Sequence, residues 1–371
     1  MLIEFHNRDL NKNIDFNKYL REDIKMKLKK VCFLIIIVLV LALLCSLSAS
    51  SAKRQIKISH GQATGDPRHL GAVAMADYIN AQGLEDWEAV VYPANQLGES
   101  TQVIESTVGG AIEMNITPVG FLSGFQPLFT VLEIPFLIPG DLYDVREVME
   151  SEAAQYLSDT LEVAGLVNVA FWTSDFGQIS STKTPIRKIE DVRGLKMRTV
   201  PSPITDKSWE GTGLSPVFIP WEETYTALQT GAVDGDLATP VTMVYTQKFH
   251  EVVDYLIILD YAPQIMSTMA SKVWWDSLTE EVREVVRKGA EVGGQVMFEE
   301  SIKDRDIKWK LIEEEGNCEI IVITPEERER FIDAMMDGVE EFFVNQYGEE
   351  AKKILDGFHA AIEEVQQKKV K

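Results

Sequence analysis

Short apolar segments alternate with segments of helical period, twice over, and this order constrains the fold more than any other feature. "RQIKISHGQATGD" alternates apolar and polar residues and ends in Gly and Asp, a strand running into a loop. "PRHLGAVAMADYINAQG" repeats its apolar residues at helical spacing and stops at Gly83. "WEAVVYP" predicts a second strand closed by Pro93, and "STQVIESTVGGAIEMNI" a helix, a turn and a third strand. Such alternation predicts an α/β fold with a mostly parallel, helix-covered sheet. The order recurs downstream. "LVNVAFWTS" reads as a strand, "KIEDVRGLKMRTV" as a loop and strand, "SPITDKSWEGTG" as a helix, "SPVFIP" as a strand and "WEETYTALQTGAVDGDLAT" as a helix and strand. "PVTMVYTQKFHEVVDYLIIL" adds a helix and a strand, so a second α/β lobe is expected. From about Trp274 the chain is helical and charged, with Thr279 before Glu280 and Glu281 as a helix start. The charged residues there read as solvated faces. At 371 residues and 45% hydrophobic, the chain can bury a core for two lobes.

A different object precedes the first strand. Lys27, Lys29 and Lys30 form a basic cluster, Val31 to Cys45 is an apolar run of fifteen residues, and Ser50-Ser51-Ala52 resembles a cleavage site. This is the layout of a secretory signal peptide within residues 1–52. The run is shorter than the ~20 residues a spanning helix needs. An uncleaved membrane anchor is the competing reading. Glu4, Asp9, Asp15, Glu22 and Asp23 fit a signal n-region poorly, so a start at Met26 fits better. Leu44 is too large for the residue before a lipidated Cys45. Cleavage would leave Cys318 as the single cysteine, which suits a periplasm where core size replaces disulfides. A net charge of −22 argues against non-specific nucleic-acid binding, and no nucleic-acid partner is expected.

Chemistry-bearing motifs are few. His6, His60, His69, His250 and His359 show no HExxH or HxH spacing, so no metal site is expected. No GxSxG, Walker loop or GxGxxG is present, and no cofactor is expected. Glu222 and Glu223 open a helix, where they favour its dipole. His60 and His69 flank a strand-end loop and read as structural histidines. Strand-end loops bearing polar and aromatic groups stand out instead, because α/β lobes bind ligands there. Arg198 ends a short strand, and its planar fork matches a carboxylate. Trp221 opens the helix after "FIP", and Asp236 and Thr239 follow Gly235. On pattern alone these read equally as a surface arginine, a core tryptophan and a turn aspartate.

Four ordered motifs change the balance. "YPANQLG" (92–98), "DVRGLKMRTVPSP" (191–203), "YTALQTGAVDG" (225–235) and "YTQKFHEVVDYL" (245–256) resemble the extracytoplasmic solute-binding subunits of TRAP (tripartite ATP-independent periplasmic) transporters. "VLEIPFLI" (131–138) is similar too, and the resemblance covers about 55–345. It implies a two-lobe, type II-like periplasmic binding protein fold with crossing strands and long C-terminal helices. Lobe I is expected over 53–175 with about 264–303, lobe II over 176–263 with about 304–345, and a C-terminal helical tail over 346–371. The implied function is capture of an organic acid anion by hinge closure and delivery to a TRAP-type membrane permease, without catalysis. A tethered sensor for the same ligands and an exported lyase or hydrolase are the alternatives. By resemblance, Arg198 clamps the ligand carboxylate and Trp221, where phenylalanine is commoner, lines the pocket. Gln178 stands near the position of a second basic residue, so Arg198 is expected to be the main or sole cation. "VDGDLATP" replaces V-D-G-Q-E-N-P with one extra residue, and Asp236 there would repel a second carboxylate. The ligand is then expected to carry one carboxylate plus hydroxyls or an amine. Gln62, Thr117, Trp172 and Phe176 complete the candidate pocket, the aromatics also fitting an aromatic acid.

Overall fold

The computed structural model describes residues 18–37 and 53–370. Residues 18–37 are helical, and they belong to a unit separate from the one that begins at Arg54. The proposed cleavage site at 50–52 and the C-terminal part of the apolar run lie outside the described residues. Among the described residues no helix is long and apolar enough to cross a membrane.

From Arg54 onward the chain builds one nine-stranded sheet from two parallel half-sheets and two long strands between them. The first half-sheet holds β1 (Arg54–His60), β2 (Trp87–Tyr92) and β3 (Met114–Pro118), with β1 in the middle. The second holds β5 (Lys196–Thr199), β6 (Ser215–Phe218) and β7 (Gly235–Thr239), with β5 in the middle. Both arise from the predicted strand–helix alternation, since a crossover helix makes successive strands parallel. Between them run β4 (Leu166–Ser181) and β8 (Tyr255–Ser271), paired antiparallel, giving the order β2-β1-β3-β8-β4-β7-β5-β6. At ~3.3 Å per residue each is roughly 55 Å long, enough to serve both half-sheets. Met266–Ala270 of β8 pair with β3, while Ile257, Leu256 and Tyr255 pair with the far end of β4. β9 (Glu319–Val322) pairs in parallel with the Tyr255–Ile258 end of β8.

"LVNVAFWTS" was expected to end near Ser174, but β4 continues to Ser181 through Asp175, Gly177 and Gln178. The polar residues survive inside a strand because each finds a partner. Arg305 donates to buried Asp175 at 2.8 Å and to Asp260 of β8 at 3.1 Å. Gln178 accepts from Leu259 N and Asp260 N and donates to Phe176 O and Asp260 Oδ1.

The helix Glu280–Glu315 crosses this arrangement. Thr279 caps it, accepting from Val282 N, as the sequence predicts, and Gly316 at φ 68° ends it. It lies close to the helix Pro67–Ala81 because Gly71 and Gly293 have no side chains. A Cβ at Gly293 would sit 2.6 Å from the Trp172 ring and 2.7 Å from Gly71 O. The last helix, Val339–Val370, breaks at Gly348 (φ 78°). Its Ile354, Leu355, Phe358 and Ile362 are buried in a core shared with Val145, Ala154 and Leu157. The expected tail is therefore a packed element.

Candidate functional site

A cavity of about 760 Å³ of space not filled by atoms, its mouth included, opens against β8 with lining from both half-sheets. Its wall takes Gly61, Gln62, Arg68 and Pro118 from the first half-sheet's side. Arg198, Thr239 and Trp221 come from the second, and Tyr261 and Gln264 from β8. Strand ends and a switch between sheets are where α/β proteins hold small ligands.

Arg198 is 2% exposed. Its place on β5 is fixed by the β5–β7 register, which sets Arg198 opposite Asp236. Arg198 Nη1 donates to Asp236 Oδ1 at 3.2 Å and Nε donates to Ile219 O at 3.0 Å. Nη2 is buried and has no partner among the described residues. The guanidinium carbon lies 5.2 Å from the centre of the Trp221 ring, a cation–π contact. Trp221 opens the turn Trp221–Glu223 and leans on Phe249, ring centres 5.4 Å apart.

Asp236 stands behind Arg198, away from the wall. Its Oδ2 accepts from Thr239 Oγ1, so both oxygens are engaged. Burial pushes its carboxyl pKa up, and Arg198 and Thr239 oppose that. The expected repulsion of a second carboxylate by a free Asp236 therefore falls away. Within "VDGDLATP" the strand carries a bulge. The β4–β7 register jumps from Ile179↔Leu237 to Gln178↔Thr239, which leaves Ala238 unpaired at φ 65°.

The wall holds a second cation that the sequence reading missed. Arg68, in the first turn of the helix Pro67–Ala81, is 2% exposed. Its Nε and Nη2 are buried without partners among the described residues. Burial pulls its pKa down to about 10, countered by Asp66. Arg198 is thus not the sole cation on this wall. A basic residue in a first helical turn opposes the helix dipole, and that conflict was the available signal.

Glu133, from the "VLEIPFLI" motif, was missed too. It lines the cavity, accepts from Thr205 Oγ1 at 3.4 Å, and burial raises its carboxyl to about 7.

Of the predicted set, Arg198, Trp221, Gln62 and Thr239 share this wall. Four others lie elsewhere. Gln178 is fully buried, with its amide spent between β4 and β8. Trp172 packs on Gly293 and Gly294 and donates Nε1–H to Ala290 O at 2.8 Å. Phe176 belongs to the core around Phe129 and Ile265. Thr117 is buried in β3 opposite Ser267, and its neighbour Pro118 reaches the wall instead.

His60 and His69 do stand together as a structural pair, Nε2 to Nδ1 at 3.2 Å. His60 Nδ1 accepts from Gln62 N, so its proton sits on Nε2 and is donated to His69. Burial drives the His60 pKa down to about 3.

Hydrogen bonds cross the cavity mouth between the loops of the two half-sheets. Asn95 donates to Glu222 Oε1 at 2.6 Å, and Gln247 donates to Gln62 Oε1 at 2.8 Å. Ser123 Oγ donates to Pro201 O.

Comparison with known proteins agrees with this architecture. The family model described as bacterial extracellular solute-binding protein, family 7 (DctP), matches residues 58–346. The 2,3-diketo-L-gulonate-binding periplasmic protein of Escherichia coli is 25% identical over 342 residues, 92% of this chain and all of that one. The C4-dicarboxylate-binding periplasmic protein of Rhodobacter capsulatus is 28% identical over 291 residues, 77% of this chain and 86% of that one. Among solved structures, a TRAP periplasmic solute binding protein from Desulfovibrio salexigens with bound orotic acid superposes with a TM-score of 0.80. It is 24% identical, and the match covers 84% of this chain and all of that one. With most of its length matched by the family model, the chain belongs to bacterial extracellular solute-binding protein family 7, the extracytoplasmic solute-binding subunits of TRAP transporters.

Proposed function

We propose that this protein captures an organic acid anion in the periplasm and passes it to a TRAP-type membrane permease. The observation that carries the reading is the pair of buried guanidiniums, Arg68 and Arg198, with unpartnered N–H groups on one cavity wall. A buried donor left unpaired costs about 1–3 kcal/mol, more when charged, and a carboxylate meets both arginines with charge-assisted bonds. Names of relatives lend support, since they bind 2,3-diketo-L-gulonate and C4-dicarboxylates. The family binds solutes and does no chemistry on them.

Capture works by closure. The first half-sheet side, with Arg68, forms lobe I, and the second, with Arg198, forms lobe II, hinged on β4 and β8. An anion touching both arginines favours the closed arrangement. The segment through 50–52 is read as a cleaved signal that exports the protein. A thermal-shift panel of organic acids tests the capture reading. A ligand at 100 times its Kd should add about 2.7 kcal/mol of stability. Arg198→Ala and Arg68→Ala should each abolish the shift while keeping the far-UV spectrum. Shifts with neutral sugars but no carboxylate, or unchanged shifts in both variants, would overturn it.

A further inference from the structure

The arginines leave the β8 part of the wall unexplained. Tyr261 and Gln264 both reach the wall there. Tyr261 is 4% exposed, and its ring is fixed edge-on by Trp209 at 5.6 Å between centres. Its hydroxyl makes no well-formed hydrogen bond among the described residues, with the Ala238 backbone beside it. Gln264 Oε1 is buried and equally unpartnered among them. The Gln264 amide is oriented by Ala238, whose carbonyl accepts from Nε2 at 3.5 Å. Reversing the amide would set oxygen against oxygen. Ala238 is the residue that bulges from β7. The bulge thus sets a backbone carbonyl beside Gln264 Nε2.

We propose that Gln264, with Tyr261, selects a hydroxylated organic acid: the ligand's hydroxyl donates to Gln264 Oε1 and accepts from Tyr261 O–H while its carboxylate meets the arginines. This rests on the organic-acid reading above and narrows it. An amide oxygen can only accept, and an ionised carboxylate can only accept. A plain mono- or dicarboxylate therefore leaves Gln264 Oε1 buried and unpaired, whereas a hydroxyl serves both side chains. An ammonium could also donate to Gln264. Two guanidiniums on the same wall oppose it, against one carboxyl there, Glu133. Asp236 is engaged by Arg198 and Thr239.

Isothermal titration of the purified protein at pH 7.5 tests this with matched probes: malate against succinate, glycerate against propionate, gluconate against hexanoate, and lactate against alanine. The hydroxy acid of at least one pair should bind roughly tenfold or more tightly than its deoxy partner, the scale of one unsatisfied buried acceptor. Gln264→Leu should bring that pair to within about threefold, by weakening the hydroxy acid alone. Tyr261→Phe, which keeps the ring packing, should reduce the same preference. Equal binding within every pair, tighter binding of alanine than lactate, or equal weakening of both members by Gln264→Leu would overturn the proposal while leaving acid capture standing. Binding of no acid in any pair would overturn both readings.

Discussion

Glu133→Gln should change how stability depends on pH. Glu133 sits on the cavity wall with Thr205 as its hydrogen-bond donor, and burial raises its pKa from 4.5 to about 7. In the unfolded chain the carboxyl ionises near its ordinary value; in the folded protein it keeps its proton longer. Between about pH 4.5 and 7 the folded state binds more protons than the unfolded state, so stability falls as pH rises. At 1.36 kcal/mol per pH unit the full effect is roughly 3 kcal/mol, and the side chain's partial exposure reduces it to roughly 1–3 kcal/mol. Glutamine has the shape of the protonated acid and cannot ionise. Urea unfolding of both proteins should give nearly equal stabilities at pH 4.5. By pH 8 the variant should be more stable by roughly 1–3 kcal/mol. Asp175, also raised to about 7, contributes the same slope to both proteins and cancels in the difference. A difference that stays constant from pH 4.5 to 8, or wild type gaining on the variant as pH rises, would refute the argument.

Two further substitutions test the scaffold. Gly293→Ala places a Cβ 2.6 Å from the Trp172 ring and 2.7 Å from Gly71 O, so it should cost roughly 1–3 kcal/mol in chemical unfolding; an unchanged midpoint would mean these helices are not closely packed. Arg305→Ala strands the fully buried Asp175 carboxyl and should cost about 3–5 kcal/mol. Asp175→Asn in the same background should recover part of that loss, and its failure to do so would show that the uncompensated charge is not the cause.

The alternation of strands and helices was legible because it depends on local period, and so was the cap at Thr279. Arg198 was legible through its motif, and its geometry follows from the strand register beside Asp236. Other assignments depend on partners distant in sequence. Trp172 reads as a pocket aromatic until Gly293 and Gly294 come against it from a helix more than a hundred residues on. Gln178 reads as a ligand donor until β8 supplies Leu259 N and Asp260 N. Arg68 carried a local signal in its conflict with the helix dipole, but its burial depends on how that helix meets the cleft.

The two arginines also explain why closure would need a ligand. Arg68 belongs to the first half-sheet's side and Arg198 to the second, so one anion meets both only when the sides are together. Bringing them together without an anion buries two guanidiniums that retain unpaired N–H groups. The contacts across the mouth are modest by comparison. Asn95–Glu222 is exposed to solvent, and such a bond adds about 0.5–1.5 kcal/mol. On the closure reading proposed above, the mouth contacts would set the geometry of the closed state, and its population would depend on what pairs with Arg68 and Arg198. An anion that pairs with both arginines removes the penalty and shifts the population toward closure by its differential affinity for the closed form. A permease that recognises the closed surface would then receive loaded protein in preference to empty protein.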